Sequence, residues 1–413
     1  MTKHKTLTPF EAVNEVRRYR GQVVLVLQGG GALGAYQGGV YHALHEAGIE
    51  PDWIIGTSIG AINASLITGN RPEDRLAKLE EFWRRVERAD FWGAFPAWAG
   101  VGDALASWMT LTKGISGFFE PHTQAFLGAH VNLGPDHAGY YSTEPLRKTL
   151  EEMVDFSLLN AGRPRLTVGA AHVRSGVMRY FDSRDMELTA SHIMASGALP
   201  PAFPAIRIDG ELYWDGGILS NTPAERIFED YPRRNGLIFA VHLWNPTGPE
   251  PETIWQILNR HKDIQYSSRI SNHIVRQSEA HRLRHVISEL LKYVPEEVKQ
   301  KPHVKELAGY SCRTRMHVVR LLAPRLDNES HTKDIDFSPA GIRMRWQAGY
   351  ADTLDALEHQ PWLGEWDPLE GVILHEPRRG AEPAAEIEMG DAATAPDDSA
   401  ASIGGAPTKL AAE

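Results

Sequence analysis

Short apolar runs alternate with amphipathic segments along the first part of the chain. Residues 23–27 read VVLVL, and an unbroken β-branched run of this kind is typical of a strand buried on both faces. A helical period follows at residues 35–47, and the apolar residues 53–55 lead into a second helical segment at residues 59–68. Further apolar runs of strand length lie at residues 166–173, 178–182 and 237–244. Strands that alternate with helices predict an α/β fold with a mostly parallel central sheet flanked by helices.

Changes of composition divide the chain into segments. Residues 1–20 contain a capping box and predict an N-terminal helix, and residues 21–245 carry the alternating strands and helices of the main domain. Within that domain, residues 90–139 mix glycine and proline with large aromatic side chains. This mixture fits either a lid over an apolar substrate or an insertion with a small core of its own. Residues 246–375 predict a mainly helical C-terminal region, and residues 376–413, rich in alanine, proline and acidic residues, predict a disordered tail.

The first helical segment of the C-terminal region, at residues 253–293, is amphipathic. Its apolar positions include Ile254 and Ile257, and its basic positions include Arg260 and Lys262. One interpretation is a helix packed on its own domain with a solvated basic side. The other is a helix that lies on an anionic membrane or against a partner, so the pattern makes a peripheral membrane contact a hypothesis to test.

A serine lies on a glycine-rich turn directly after the second predicted strand. Gly56 and Gly60 flank Ser58 in the sequence GTSIG, which matches the G-x-S-x-G pattern of a nucleophile elbow. Such a strand-to-helix turn exposes the serine hydroxyl, and the glycines let neighbouring backbone pass close to it. The alternative is that Ser58 caps the N-terminus of the next helix and has no reactivity.

Three consecutive glycines, Gly29, Gly30 and Gly31, follow the first predicted strand. Their unshielded N–H groups, next to the start of a helix, are placed to hold the oxyanion that forms when a serine attacks an ester. Together with Gly34, the stretch also satisfies G-x-G-x-x-G, the fingerprint of a dinucleotide-binding loop. The second strand lacks the acidic residue that would bind a ribose. Acyl transfer is therefore favoured over a nucleotide-binding or scaffold protein.

Charge and composition narrow the class of protein. The net charge is −10, from 43 basic and 53 acidic residues, which argues against general nucleic-acid binding. The single cysteine, Cys312, excludes an internal disulfide framework and a cysteine-based zinc site. Residues 1–10 lack the apolar core of a signal peptide, and no apolar run reaches the roughly 18 residues of a membrane span. We therefore expect a cytoplasmic protein.

Four motifs in a fixed order carry a resemblance to a known family. GGGALG, GTSIG, ASGALPPAFP and DGGILSNTP follow one another between residues 23 and 244. The set resembles the patatin-like phospholipase family, in a bacterial form with an additional C-terminal region. The resemblance implies a three-layer α/β catalytic domain and a serine hydrolase that cleaves lipid or other acyl esters. It implies neither a metal nor an organic cofactor.

The resemblance also assigns roles to residues. Ser58 matches the family nucleophile and Asp215 matches its base, in a dyad that uses no histidine. The glycines at positions 29–31 match the oxyanion loop, and Gly216 and Gly217 complete the loop of the base. Without the family, an aspartate at this place is equally an Asx-turn residue that shapes its loop.

Three further features qualify this assignment. Leu33 stands where the family usually carries arginine or lysine, which removes a cation near the anion hole and favours a neutral ester. His242 and His261 lie in a predicted strand and a predicted helix, and either would complete a Ser–His–Asp triad in place of the dyad. The aromatic residues of the 90–139 segment that we expect at an acyl chain include Trp92, Trp98, Trp108 and Phe118.

Overall fold

The computed structural model describes residues 21–87, 114–115, 117–128, 130–267, 270–326 and 332–376. Three sequence-based predictions concern residues outside these ranges. They are the N-terminal helix at residues 1–20, the tail from residue 377 onward, and Trp92, Trp98 and Trp108 of the aromatic segment.

The strands of the described residues form one large sheet and one small ribbon. In chain order they are β1 (Gln22–Leu27), β2 (Trp53–Gly56), β3 (Glu120–Pro121), β4 (Tyr141–Ser142), β5 (Arg165–His172), β6 (Met178–Asp182), β7 (Ile206–Ile208), β8 (Glu211–Asp215), β9 (Gly236–His242), β10 (Met316–Leu322) and β11 (Val372–His375). The large sheet has the order β11-β10-β9-β1-β2-β5-β8-β7, β6 pairs with β5, and β3 pairs with β4 in the ribbon.

The large sheet is mixed but mostly parallel, as the alternation of strands and helices predicts. Strands β11, β10, β9, β1, β2 and β5 run parallel to their neighbours along this path. Strands β6, β7 and β8 pair in the antiparallel sense. The predicted fold class is confirmed.

Helices cover both faces of the sheet. In chain order they are α1 (Ala35–Glu46), α2 (Ile59–Thr68), α3 (Pro72–Arg85), α4 (Glu144–Met153), α5 (Phe156–Asn160), α6 (Ala190–Ser196), α7 (Glu225–Glu229), α8 (Ile254–Ser267), α9 (Ile270–Leu290), α10 (Glu296–Lys299), α11 (Pro302–Ala308) and α12 (Pro339–His359). The sequence does not predict the short elements α5, α7, α10, α11 and β11, because elements this short do not show a recognisable helical or strand period. None of the described helices is both long enough and apolar enough to span a membrane.

Both faces of the central strand β1 are buried. Val23, Leu25 and Leu27 belong to one hydrophobic core, and Val24 and Val26 belong to the other. Successive side chains of a strand point to opposite faces, so a strand with a core on each side needs an unbroken apolar run. This explains the sequence VVLVL.

The C-terminal part of the chain packs closely on the first part. Strand β10 continues the sheet beside β9, and α12 crosses α1. At the crossing, a Cβ atom on Gly349 would overlap the carbonyl oxygen of Tyr36, and one on Gly39 would overlap that of Trp346. The two backbones can approach this closely only because both positions are glycine.

The amphipathic segment at residues 253–293 forms two helices, α8 and α9. In α8, Ile254 and Ile257 are exposed, whereas Arg260 and Lys262 are partly buried. A helix packed on its domain with a solvated basic side would show the opposite pattern of burial. The first interpretation is therefore wrong for α8. Specific polar contacts of the basic residues, described below, determine the orientation.

Candidate active site

The loops that carry the two glycine motifs start side by side at one edge of the sheet. Strand β1 lies between β2 and β9, so the chain builds the sheet outward from β1 in both directions. Leu27, the last residue of β1, pairs with Gly56, the last residue of β2. Ligand sites of open α/β sheets lie beyond the carboxyl ends of the strands at such a switch point.

Ser58 occupies a strained backbone conformation between β2 and α2. Its φ is 56° and its ψ is −125°, values that residues with a Cβ atom rarely adopt. Its N–H group donates to both the carbonyl oxygen (3.1 Å) and the Oγ atom (3.0 Å) of Ser196. The Oγ of Ser196 in turn donates to the carbonyl oxygen of Gly169 at 2.6 Å. The surrounding structure therefore holds the turn that the elbow pattern predicts.

The two glycines of the elbow are needed for close packing. A Cβ atom on Gly56 would overlap the carbonyl oxygen of Gly60. A Cβ atom on Gly60 would overlap the carbonyl oxygen of Leu27, at the end of β1. The spacing of glycines in GTSIG thus lets the turn fold back onto the neighbouring strand.

Asp215, the last residue of β8, is buried and lies beside Ser58. Its carboxylate accepts a hydrogen bond from the N–H of Gly217 (2.7 Å), and the side chain of Ser58 is close enough to influence the pKa of the carboxyl. Its own N–H donates to the carbonyl oxygen of Ala198 at 2.9 Å, and Gly216 packs directly on the backbone of the neighbouring strand β5. Burial raises the pKa of Asp215 from its ordinary 3.8 to about 6, and the interactions with Gly217 and Ser58 oppose that rise.

The glycine loop after β1 is fixed through Gly29. The N–H of Gly29 donates to the carbonyl oxygen of Asn221 (3.2 Å), and its own carbonyl oxygen accepts from Trp244 Nε1 (2.8 Å) and Asn221 Nδ2 (3.1 Å). Within the described part of the chain, the N–H groups of Gly30 and Gly31 make no hydrogen bond. Of the three glycines, Gly30 and Gly31 therefore retain donors that an incoming anion can use.

A buried glutamine ties this loop to its neighbours. The side-chain oxygen of Gln28 accepts hydrogen bonds from the backbone N–H groups of Leu243 (2.5 Å) and Trp244 (3.1 Å). Its amide nitrogen donates to Thr222 Oγ1 at 2.7 Å. The amide therefore joins the ends of β1 and β9 to the loop that follows Asp215. The sequence analysis assigned no role to Gln28, Asn221 or Ser196, because a polar residue inside or beside a motif has no distinguishing pattern of its own.

A cavity of about 160 Å³ opens at Ser58 and Asp215. Its walls are largely apolar, and their aromatic members include Phe118, Phe119, Tyr141, Phe203, Trp244 and Phe337. Among the described residues that line it, none is lysine, arginine or histidine. Of the four aromatic residues expected at an acyl chain, Phe118 lies in this wall, and the other three are outside the described ranges.

The C-terminal region supplies part of this cavity. Tyr266, Asp334, Ile335 and Phe337 all line it, and the ring of Phe337 lies 5.9 Å from that of Phe118. The sequence analysis assigned these residues to a separate region and did not place any of them at the site. Their positions depend on how distant segments pack, and no local motif marks them.

The histidines proposed for a triad lie away from the cavity. His242 is buried at the end of β9, where burial lowers its pKa to about 3, and His261 is exposed on α8. Neither lines the cavity at Ser58. Leu33 does not line it either, because its side chain packs in the core. The described geometry brings Ser58 together with Asp215 and not with a histidine.

The glycine loop has little room for a nucleotide phosphate. A Cβ atom on Gly31 would overlap the backbone carbonyl oxygen of Asp334, so another segment already lies against this part of the loop. Asp215 also lines the cavity, and its carboxylate would repel a diphosphate. This packing disfavours the dinucleotide interpretation of the G-x-G-x-x-G pattern.

Two family profiles match this chain. The family described as "Patatin-like phospholipase" matches residues 25–227, and a family described as "Patatin phospholipase" matches residues 264–369. The second match includes Tyr266, Asp334 and Phe337 of the cavity wall. The chain belongs to the patatin-like phospholipase family.

Similarity to individual proteins is more limited. The chain is 26% identical over 203 residues to patatin-like phospholipase domain-containing protein 6 of Mus musculus, which covers 49% of this chain and 12% of that protein. It is 28% identical over 231 residues to an uncharacterized NTE family protein of Mycobacterium tuberculosis, covering 55% of this chain and 31% of that one. The chain thus spans a small part of the length of these relatives.

Solved structures resemble the chain only at low scores. VipD from Legionella pneumophila gives a TM-score of 0.35 at 17% identity, covering 82% of this chain and 67% of VipD. Human GIVD cytosolic phospholipase A2 gives a TM-score of 0.33 at 12% identity, covering 56% and 45% of the two chains.

Proposed function

We propose that the chain is a serine acyl hydrolase that cleaves ester bonds of lipids, as a phospholipase A-type carboxylic ester hydrolase. The observation that carries the proposal is that Ser58, on a strained turn, and the buried carboxylate of Asp215 meet at one apolar cavity. Family membership supports a lipid substrate, since the relatives with printed activities are named phospholipase or lysophospholipase.

The proposed reaction begins with a proton transfer. The carboxylate of Asp215 takes the proton of the Ser58 hydroxyl as Ser58 Oγ attacks the carbonyl carbon of the ester. The N–H groups of Gly30 and Gly31 stabilise the oxyanion of the tetrahedral intermediate. The intermediate collapses, the leaving alcohol receives the proton from Asp215, and an acyl group stays on Ser58. Water, deprotonated by Asp215, then releases the fatty acid and restores the serine.

The cavity favours an uncharged ester with an apolar acyl chain. Its aromatic walls suit a hydrocarbon chain, and no cation among the described lining residues is available to hold an anionic head group. Asp334, an acidic residue of the wall, is already paired with Lys262, whose Nζ atom lies 2.7 Å from the carboxylate. The substrate class that fits is therefore a neutral or zwitterionic lipid ester.

Labelling by a fluorophosphonate probe tests the nucleophile directly. We expect the wild-type chain to be labelled and to hydrolyse a soluble chromogenic ester. Ser58→Ala should lose both properties, because Ser58 supplies the nucleophile of the proposed reaction. Ser157→Ala, at an exposed serine of α5, is the matched control and should behave as the wild type. A Ser58→Ala variant that is folded and keeps the hydrolysis rate would contradict the proposal.

A further inference from the structure

Helix α8 turns its apolar side to solvent. The relative exposures of Ile254, Ile257, Leu258 and Ile264 lie between 44% and 75%. At about 3.6 residues per turn these four positions fall on one side of the helix, together with His261 and Gln265. We call these four apolar residues the α8 strip. Within this helix, all of whose residues are described, the side that carries the strip contains no lysine, arginine, aspartate or glutamate.

Polar contacts hold the opposite side of α8 against the protein. Asp263 is buried and forms an ion pair with the buried side chain of Lys333, at 2.6 Å. Lys262 pairs with Asp334, and the guanidinium of Arg260 donates to the backbone carbonyl oxygens of Asn245 and Pro246. Rolling α8 to bury its apolar side would break the buried ion pair of Asp263 with Lys333, which is strongly unfavourable. The exposure of the strip is therefore built into the fold.

The same helix forms part of the proposed active site. Tyr266, in its last turn, lines the cavity at Ser58, and the backbone carbonyl oxygen of Tyr266 accepts hydrogen bonds from Gln28 (3.2 Å) and Asn221 (3.3 Å). Gln28 and Asn221 also hold the glycine loop. The α8 strip is thus rigidly connected to the loops around the nucleophile.

We propose that the α8 strip docks the protein on a neutral or zwitterionic lipid surface, from which the ester substrate enters the cavity. This inference rests on the proposed function, because a lipid ester resides in such a surface. A helix of 14 residues is about 21 Å long, and an apolar side of this length suits insertion among head groups. The strip lacks charged groups that would recognise an acidic or a basic partner, so apolar burial drives the contact and added salt weakens it little.

Flotation with vesicles tests the docking surface. The full chain carries Ser58→Ala, so that the vesicles stay intact, and the vesicles consist of phosphatidylcholine alone. We expect binding at low and high salt, and Ile254→Gln together with Ile257→Gln should lower vesicle partitioning on the order of a hundredfold. Leu258→Gln with Ile264→Gln is a second variant that should give a loss in the same direction. Glutamine keeps helix propensity, so the helix itself is retained.

The matched control removes apolar surface elsewhere. Leu283→Gln with Leu290→Gln changes two residues of α9 that are 65% and 60% exposed, and it should leave vesicle binding unchanged. The inference is wrong if the chain with an unchanged strip binds no vesicles. It is also wrong if the α9 control loses as much binding as the α8 variants, or if the α8 variants bind as well as the chain with the unchanged strip. A dimer that dissociates in the α8 variants, with no vesicle binding, would assign the strip to a second copy and also overturn it.

Hydrolysis separates this inference from the proposed function. With Ser58 intact, both α8 variants should hydrolyse a soluble ester at the wild-type rate and should hydrolyse lipid in vesicles more slowly. Loss of vesicle binding with unchanged soluble-ester hydrolysis supports the docking surface. Failure of the wild type to hydrolyse any ester would contradict the enzymatic function, whereas the binding assay tests the α8 strip in either case.

Discussion

The carboxyl group of Asp215 experiences two opposing influences. Burial disfavours the ionised form, whereas the hydrogen bond from Gly217 and the nearby hydroxyl of Ser58 favour it. Burial dominates, and the pKa of about 6 leaves the group mostly ionised at neutral pH, as a general base requires. A buried, ionised carboxylate also costs stability, so the property that suits catalysis is expected to weaken the fold.

Asp215→Asn should stabilise the protein at neutral pH and inactivate it. Because the folded pKa of Asp215 is raised from 3.8 to about 6, the wild type loses stability as pH rises between these values, and it stays penalised above them. The asparagine variant lacks this penalty and should gain up to about 3 kcal/mol at pH 8 and nothing near pH 4. Urea unfolding at several pH values measures the difference.

Hydrolysis by the same variant provides the second measurement. Loss of a general base typically lowers the rate by about 10²–10⁴-fold, so the asparagine variant should retain at most a trace of activity. A variant that is less stable than the wild type at pH 8, or one whose stability difference is the same at pH 4 and pH 8, would refute the account of Asp215.

At the scale of elements, the crossing of α1 and α12 fixes the C-terminal region on the sheet. The glycines at positions 39 and 349 let the two helix backbones touch, and Trp346 lies over Gly38 in the same crossing. Phe337, two residues before α12, is thereby held in the cavity wall. The packing of two helices thus contributes to the shape of the proposed substrate pocket.

Gly349→Ala should destabilise the protein by about 1–3 kcal/mol, because the new Cβ atom would overlap the carbonyl oxygen of Tyr36 and force the helices apart. The sign of the stability change is informative. Helix propensity alone would make Gly349→Ala stabilising by about 1 kcal/mol, so a loss of stability reports the overlap at the crossing. Thermal or urea unfolding measures the change. Gly236→Ala is the control, as its Cβ atom would have no neighbour closer than 3.6 Å. A stabilised Gly349→Ala variant would show that the crossing is looser than described.

At the scale of the whole molecule, the C-terminal region completes the structure begun by residues 21–245. Strand β10 pairs with β9 along its full length, and every residue of β9 is buried. The described residues up to 376 form one compact unit. The composition boundary near residue 245 therefore falls inside a continuous sheet.

A chain that ends at residue 245 should not fold cooperatively. It would expose β9 as an apolar sheet edge, uncover α1, and lose Tyr266 and Phe337 from the cavity. We expect aggregation, or a broad and non-cooperative urea transition followed by circular dichroism. A chain that ends at residue 377 keeps the complete sheet and serves as the control with a single sharp transition. Cooperative unfolding of the shorter chain would establish residues 21–245 as an independent domain.

Local patterns in the sequence determined the elements and the candidate dyad. The run VVLVL predicts a strand because both faces of β1 are covered, and GTSIG predicts the turn at Ser58 because only glycine fits its flanks. Asp215 followed from its motif and its family resemblance. These features are local in the sequence, since a strand period and a glycine spacing are carried by residues that are neighbours in the chain.

Only the tertiary structure decided which surfaces face each other. An amphipathic helix has the same pattern whichever side it turns to the protein, so the outward apolar side of α8 depended on Lys333 and Asp334, about 70 residues away. Likewise, the N–H of Gly29 is taken by the carbonyl oxygen of Asn221, a contact between distant segments that no local pattern predicts. The sequence by itself therefore determined the longer strands and helices and the glycine turn at Ser58. Long-range packing determined the cavity wall and the exposed strip, because a contact between two distant segments produces no periodic pattern in the sequence of either segment.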